Sequence, residues 1–485
     1  MKLTRQFQPF TPMQANTNIV NKLWGYCHVL RHDGMDYGDY VEQLTYLLFL
    51  KMAEERSAVI PKEYSWSVLK TKAGTELLDF YTEVLRGLAK QEGLLGAIFA
   101  EALSKFTKPV NLKRLIDLID EIDWSGLNID VKAQAYEGLL EKSAAEGKKG
   151  AGQYFTPRVL IQSIVNVMKP DPRTAKDFTI CDPAAGTGGF LLSSYEWFLH
   201  LTGEAINRDD LERIKQNTYF GTELVARPRR LALMNLYLHG ITANMYLGDS
   251  IYEPDRGERF DVVLTNPPFG TKGANQVPER QDFTVGTSNK QLNFVQHVLT
   301  ILKPGGRAAV VLPDNVLFGD QAAEVFKILM QDCNVHTILR LPNGTFTPYS
   351  QGVKANVVFF TKGMPTESVW IYDGRTNVSG ITKTDRPLTH KYFEDFEKCY
   401  GDNANGQSPR DENHSKEDRW KQFTLAQVKD KKYKLDSFKW LKEENVDESD
   451  EIGEPEELIT DALSKLKEAT NSLEQIYAEL ENGTK

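Results

Sequence analysis

Four consecutive residues, Asn266-Pro267-Pro268-Phe269, carry the most specific chemical signal in the sequence. They follow directly on the apolar run Phe260–Thr265, which reads as a strand. The two prolines remove two backbone donors and fix their own φ, so the stub is rigid and displays carbonyls. The exocyclic amine of an aromatic base has two N–H donors and a lone pair delocalised into the ring. Accepting both hydrogens, on the Asn266 side-chain oxygen and the Pro267 carbonyl, would draw the nitrogen toward tetrahedral geometry and free its lone pair for attack. Phe269 can stack on the face of a base turned out of its duplex. Taken alone, the tetrapeptide is also compatible with a plain turn; what precedes it in the chain weighs against that.

What precedes it is Asp182-Pro183-Ala184-Ala185-Gly186-Thr187-Gly188-Gly189-Phe190, between an apolar strand and a helical pattern. Glycines at such a junction let the backbone approach a ligand, and the helix N-terminus offers free N–H groups. Dinucleotide sites use the same device, so glycine spacing alone is weak. Here Pro183 lies inside the turn and the GxGxxG register is missing. A turn that needs glycine only for its conformation is the alternative. Glu223 ends the next strand, where a carboxylate is placed to accept from both ribose hydroxyls. Asp249, followed by Ser250 at the third strand tip, is placed to accept from an adenine amino group. A single strand-end acid is more often a turn or helix cap. Two at successive strand ends, beside a glycine-rich turn, point to a bound adenosine.

The elements that must position these residues are those of an α/β fold. Candidate strands at Phe178–Cys181, Tyr219–Thr222, Met245–Leu247, Phe260–Thr265, Arg307–Leu312, Val335–Leu341 and Asn356–Thr361 alternate with helical patterns such as Phe190–His200, Pro228–Gly240 and Gln291–Leu302. That alternation predicts a parallel sheet wound with crossovers over residues 151–375. Residues 1–150 read as a helical domain, because Tyr40–Arg56 and Asn111–Ile122 repeat apolar residues at three- and four-residue spacing. Lys142–Gly152, small, polar and glycine-rich, reads as a connector. Residues 376–454 read as a charged, irregular linker region. Over 455–485, Ile459, Leu466, Leu473 and Leu480 recur every seven residues, with Ala462, Ala469 and Ile476 three positions after the first three. This is a heptad seam, expected to pair with a helix of another subunit, or else to pack on the chain's own N-terminal helices.

Bulk properties narrow the classes. The chain of 485 residues is long enough for two or three domains. No run of eighteen apolar residues occurs and Met1–Pro12 has no apolar core of a signal peptide, so neither a membrane span nor secretion is expected. The four cysteines, Cys27, Cys181, Cys333 and Cys399, lie far apart and form no CxxC pair, which argues for reducing cytoplasm and no metal site. A net charge of −9 is awkward for a chain that grips DNA alone, since phosphate contacts come from Lys and Arg; much of the grip is expected from another chain. No GxxxxGK[ST] occurs, so ATP hydrolysis is not expected of this chain.

Taken together, the motifs resemble the modification subunits of type I restriction–modification systems, within the N6-adenine DNA methyltransferases. The resemblance covers nearly the whole chain and includes the order of the motifs. It implies a Rossmann-like methyltransferase sheet that uses S-adenosylmethionine, with an N-terminal all-helical domain and a C-terminal coiled-coil helix. By resemblance Gln153, Tyr154, Phe155, Thr156, Pro157 and Arg158 close over the methionine end of the cofactor, and Asp182–Phe190 forms the cofactor loop. Glu223 is then the ribose acid, Asp249 the adenine contact and Asn266–Phe269 the catalytic tetrad. Phe346 would be a second aromatic face for the flipped base; a loop phenylalanine packed beneath the sheet is the other reading. Lys354 reads as a solvated lysine or a phosphate contact. The implied partners are double-stranded DNA with a flipped adenine, a separate DNA-specificity subunit, a second copy of this chain and a restriction subunit, with no membrane. Two other readings stand beside this one. The same chemistry could serve an RNA base or a protein glutamine, and the fold could be kept as a catalytically dead scaffold.

Overall fold

The computed structural model describes residues 17–31, 34–55, 60–122, 136, 138–140, 142, 155–202, 206–269, 276–347, 352–383 and 385–442. The heptad segment and most of the Lys142–Gly152 connector lie outside these residues.

The N-terminal block is helical: α1 (Thr17–Arg31), α2 (Tyr37–Glu55), α3 (Trp66–Leu69), α4 (Gly74–Ala89), α5 (Gly93–Phe99) and α6 (Pro109–Asp120). Helix α2 is buried continuously from Tyr40 to Leu50. That explains its apolar residues on every side, since a helix without a polar face is a core helix. Its partners are α1, α3, α6 and, from the next block, α10.

The second block is one nine-stranded sheet, in the order β3-β2-β1-β4-β5-β7-β6-β8-β9. The strands are β1 (Ile180–Asp182), β2 (Tyr219–Glu223), β3 (Asn244–Leu247), β4 (Phe260–Thr265), β5 (Leu302–Pro313), β6 (Cys333–Arg340), β7 (Ala355–Lys362), β8 (Ser368–Asp373) and β9 (Trp420–Thr424). Strands β1 to β5 run parallel, β7 enters antiparallel between β5 and β6, β8 is parallel to β6, and β9 is antiparallel to β8. The helices of this block are α7 (Arg158–Met168), α8 (Gly189–Thr202), α9 (Arg208–Asn217), α10 (Ala226–Leu238), α11 (Lys290–Ile301), α12 (Asp320–Asp332), α13 (Glu394–Tyr400) and α14 (Leu425–Asp430). Strands buried on both faces read as nearly unbroken apolar runs, and β4, β7 and the second half of β5, from Ala308 on, do so.

One expectation is corrected. Residues 376–383 and 385–442 are not an irregular linker: they contain α13, α14 and β9, and β9 extends the sheet by pairing with β8 from Tyr372↔Trp420 to Ser368↔Thr424. Aromatic anchors hold the segment. Trp420 stacks on Trp370 at 5.0 Å between ring centroids, and Phe423 meets Phe438 at 4.4 Å. The polar stretch between α13 and β9 is tied down by Arg410, whose guanidinium donates to Thr337 Oγ1 (2.9 Å) and the Tyr400 carbonyl.

The two blocks meet on α10, the helix that follows Glu223. Arg230 reaches into the helical block, where it pairs with Glu42 and donates to the carbonyls of Ile98 (2.7 Å) and Ala100. Arg227, one turn earlier, pairs with Asp39. Both Glu42 and Arg230 are buried, so this contact is specific in geometry rather than a surface adhesion.

Candidate active site

Because β1, β2, β3 and β4 are parallel and adjacent, their carboxyl ends form one edge. The strand order runs 3-2-1 on one side and 4-5 on the other, so the switch point lies between β1 and β4. A crevice opens at such a point in an open α/β sheet. The glycine turn leaves β1 on one side of it, and Asn266-Pro267-Pro268-Phe269 leaves β4 on the other.

The glycine turn is built by backbone constraint. Gly186 and Gly188 have φ of +53° and +80°, where a side chain is strained. A Cβ on Gly186 would meet nothing within 4 Å and would stand in the space above the turn, whereas one on Gly188 would touch Ala232 and Leu236. Behind Gly189 lies Ile161 of α7. Glu223 closes the turn from the next strand: Oε2 accepts from Gly186 N (2.9 Å) and Oε1 from Val225 N (2.9 Å). Each oxygen keeps a second lone pair, so the carboxylate can pin the turn and still accept from a ligand. Burial nonetheless pushes its pKa above the ordinary carboxylate value. Ser250 Oγ donates to the Pro183 carbonyl at 2.6 Å, which ties the third strand tip to the same turn. Asp249 works locally as a cap, its Oδ1 accepting from Ile251 N (2.8 Å) and Tyr252 N (3.1 Å).

Asp182 lies under the turn. Its Oδ1 accepts from Ala184 N (3.0 Å) and, across the switch point, from Thr265 Oγ1 (2.7 Å). Burial pushes its pKa up to about 7, against the lowering effect of those two bonds. The folded protein therefore holds a proton that the unfolded chain releases near pH 4. This makes stability fall as pH rises from about 4 to about 7 and level off above that. For D182N, whose amide oxygen still accepts both bonds, urea unfolding should lack this component, gaining on the parent by on the order of 2–4 kcal/mol between pH 4.5 and pH 8. Parallel pH profiles for the two proteins would refute the assignment.

At the end of β4 the Asn266 Nδ2 donates to Thr156 Oγ1 at 2.8 Å. Its Oδ1 is buried and, among the described residues, has no hydrogen-bond partner. Gln291, near the start of α11, donates from Nε2 to the Pro268 carbonyl at 2.6 Å and so fixes the second proline of the stub. Phe269 is backed by Phe346, the rings meeting edge to face (5.4 Å, 87°). Phe346 is wholly buried, so in this conformation it supports the Phe269 ring rather than offering a parallel face.

The remaining expected residues divide in two. Phe155, Thr156, Pro157 and Arg158 lead into α7, and Arg158 Nη2 donates to both carboxylate oxygens of Glu196 of α8 (2.8 and 2.9 Å), which ties the segment to the helix of the glycine turn. Gln153 and Tyr154 lie outside the described residues. Sequence reasoning missed Gln291, Thr265 and Arg280. Arg280, in the segment after the tetrad, donates to the carbonyls of Ser250 (2.9 Å) and Glu253 (3.0 Å) and pairs with Asp282, stapling that segment to the third strand tip. The one available signal was that α11 has polar residues at 291, 293, 296 and 297 amid apolar ones, so some had to be buried.

Fold and site edge together define a class: a Rossmann-like methyltransferase sheet preceded by a helical domain. Residues 127–449 match the N-6 DNA Methylase family, and residues 19–122 match the HsdM N-terminal domain. The chain belongs to the N-6 DNA Methylase family, among the methylase subunits of type I restriction enzymes. It is 38% identical to the StySPI methylase subunit of Salmonella potsdam, over 96% of either chain. The same identity and coverage relate it to the EcoKI methylase subunit of Escherichia coli K12. A chain solved in a study of complex assembly and conformational transition of the type I R-M system superposes with a TM-score of 0.74, at 29% identity, covering 97% of this chain and 99% of that one.

Proposed function

We propose that this chain is the modification subunit of a type I restriction–modification complex and transfers a methyl group from S-adenosylmethionine to the N6 amino group of adenine in DNA. The observation that carries the reading is the buried, unpartnered Asn266 Oδ1 at the head of a rigid proline stub, beside a glycine turn with room above Gly186. S-adenosylmethionine, when bound, supplies an electrophilic methyl on its sulfonium. The residues fit it: the turn leaves space for the ligand, Glu223 retains acceptor capacity for ribose hydroxyls, and the exposed Leu224 and Leu247 at the adjoining strand ends offer apolar surface to adenine.

On this reading Asn266 Oδ1 and the Pro267 carbonyl accept the two amine hydrogens, and Phe269 holds the flipped ring by its face. So held, the amine would present its lone pair to the methyl group that S-adenosylmethionine supplies, and the proton displaced from the nitrogen would pass by way of these two acceptors to solvent. Among the described residues no group of three or more His, Cys, Asp and Glu side chains is arranged to hold a metal ion. The DNA sequence would be read by a specificity subunit, which the net charge of −9 also favours, and the full complex would add a second copy of this chain and a restriction subunit. The four cysteines are buried thiols, in keeping with a cytoplasmic protein. Among the described residues no helix is long and apolar enough to cross a membrane.

The test is transfer of labelled methyl by the chain with its specificity subunit to duplex DNA, RNA and protein. Label on DNA adenine alone supports the reading, and label on RNA or protein alone overturns it. At the cofactor side, Glu223→Ala removes a charged acceptor and should raise the dissociation constant for S-adenosylmethionine roughly 10- to 100-fold by calorimetry. An unchanged constant would mean the ribose lies elsewhere.

A further inference from the structure

A primary amide has one accepting end and one donating end, about equally large, so its use as an acceptor depends on what faces the donating end. Asn266 is half buried at the head of β4, and its two ends meet different surroundings. Nδ2 faces the Thr156 hydroxyl at 2.8 Å, and Oδ1 is buried with no partner among the described residues. If the Asn266 oxygen is to receive an amine hydrogen, the Asn266 nitrogen must find its own acceptor on the opposite side. The Thr156 hydroxyl is that acceptor. With a methyl group in its place, the orientation needed for transfer would strand a partly buried N–H donor, while other rotamers would not.

The hydroxyl is itself held firmly. Thr156 lies two residues before α7, whose first residue, Arg158, donates from Nη2 to both carboxylate oxygens of Glu196 of α8. Helix α8 begins at Gly189, the last glycine of the turn. A continuous path of short contacts therefore links the glycine turn, through α8 and α7, to the amide of Asn266.

We propose that Thr156 is a positioning residue for methyl transfer: its hydroxyl accepts from Asn266 Nδ2 and thereby holds Oδ1 toward the incoming amine. The segment before α7 thus serves the amine as well as the cofactor. This rests on the reading of Asn266 given under Proposed function.

The experiment uses the full chain assembled with its specificity subunit, a duplex carrying the unmethylated site, single-turnover methylation and calorimetric binding of S-adenosylmethionine. T156V, close in shape, should slow transfer about 10- to 100-fold while the dissociation constant for S-adenosylmethionine stays within about threefold. T156S, which restores the hydroxyl, should recover the rate to within about threefold of the parent. T156V added to N266A should slow transfer no further, since both changes remove one interaction. The proposal is overturned if T156V transfers at the parental rate, if T156S is as slow as T156V, or if the two defects multiply. It is also overturned if the whole loss in T156V follows weakened S-adenosylmethionine binding. N266A separates the layers: N266A at full rate would defeat the site assignment itself, whereas a slow N266A beside a normal T156V would defeat only the role of Thr156.

Discussion

Replacing Asn266 by alanine is expected to lower single-turnover methylation by roughly 10²- to 10³-fold while leaving the dissociation constant for S-adenosylmethionine within a few-fold. The asymmetry follows from position. Asn266 heads β4, and the glycine turn that leaves β1 is pinned by Glu223, Thr222 and Ser250 rather than by Asn266. Its Oδ1 is buried without a protein partner among the described residues, so truncation breaks no internal bond of that oxygen. Besides the Nδ2 bond to Thr156, what disappears is an acceptor that matters only once an amine is presented. Substrate and cofactor titrations beside the rate measurement would decide it. A loss of cofactor affinity equal to the loss of rate would place Asn266 in the cofactor wall and leave the amine without its acceptor.

The second large effect is expected far from the crevice. Glu42→Ala leaves Arg230 buried between the two blocks with the carbonyls of Ile98 and Ala100 and the face of Tyr46 as partners and, among the described residues, no paired carboxylate. Breaking a buried ion pair from one side costs about 3–5 kcal/mol, because the remaining charge stays desolvated. Urea unfolding of the full chain should show a loss of that order. The joint replacement E42L with R230M should recover most of it, since an apolar pair of similar volume removes the stranded charge. A loss below about 1 kcal/mol in the single variant would mean that water reaches Arg230 and that the blocks are held by other contacts.

Much of this architecture could be read before any coordinates, and for identifiable reasons. Strands β4 and β7 and the second half of β5 are flanked by helices or by other strands, so their apolar runs are nearly continuous and their ends are marked by proline, glycine or asparagine. Strands β8 and β9 escaped because neither announces itself. Ser368–Asp373 is short and follows Gly363-Met364-Pro365, and Trp420–Thr424 emerges from a stretch rich in Asn, Ser and charge. That stretch satisfies its own backbone, with Asn403 Oδ1 accepting from Asn405 N (2.8 Å) and Asp411 Oδ1 from Asn413 N (2.9 Å). Polar side chains that cap turns give the same composition as a solvated linker. At the candidate site, the motifs singled out residues but carried nothing of their pairings. Asp249 proved to cap its own turn, and the Thr156–Asn266 bond joins residues 110 apart with no pattern between them to betray it.

The place of β7 between β5 and β6 has a consequence for how the molecule is made. Strand β6 is synthesised before β7 yet bonds to β7 and not to β5, so it has no place in the sheet until Ala355–Lys362 has left the ribosome. From the completion of β5 at Pro313 until then, roughly fifty residues later, the β5 edge stands open, for about 2.5–10 s at ordinary elongation rates. That edge, Ala308–Leu312, is apolar and without charge, the kind of strand that pairs with a neighbouring nascent chain. Several such chains on one message would be most exposed to one another during that interval. The speed of translation between codons 313 and 362 therefore bears on the yield of soluble protein, independently of how stable the finished fold is.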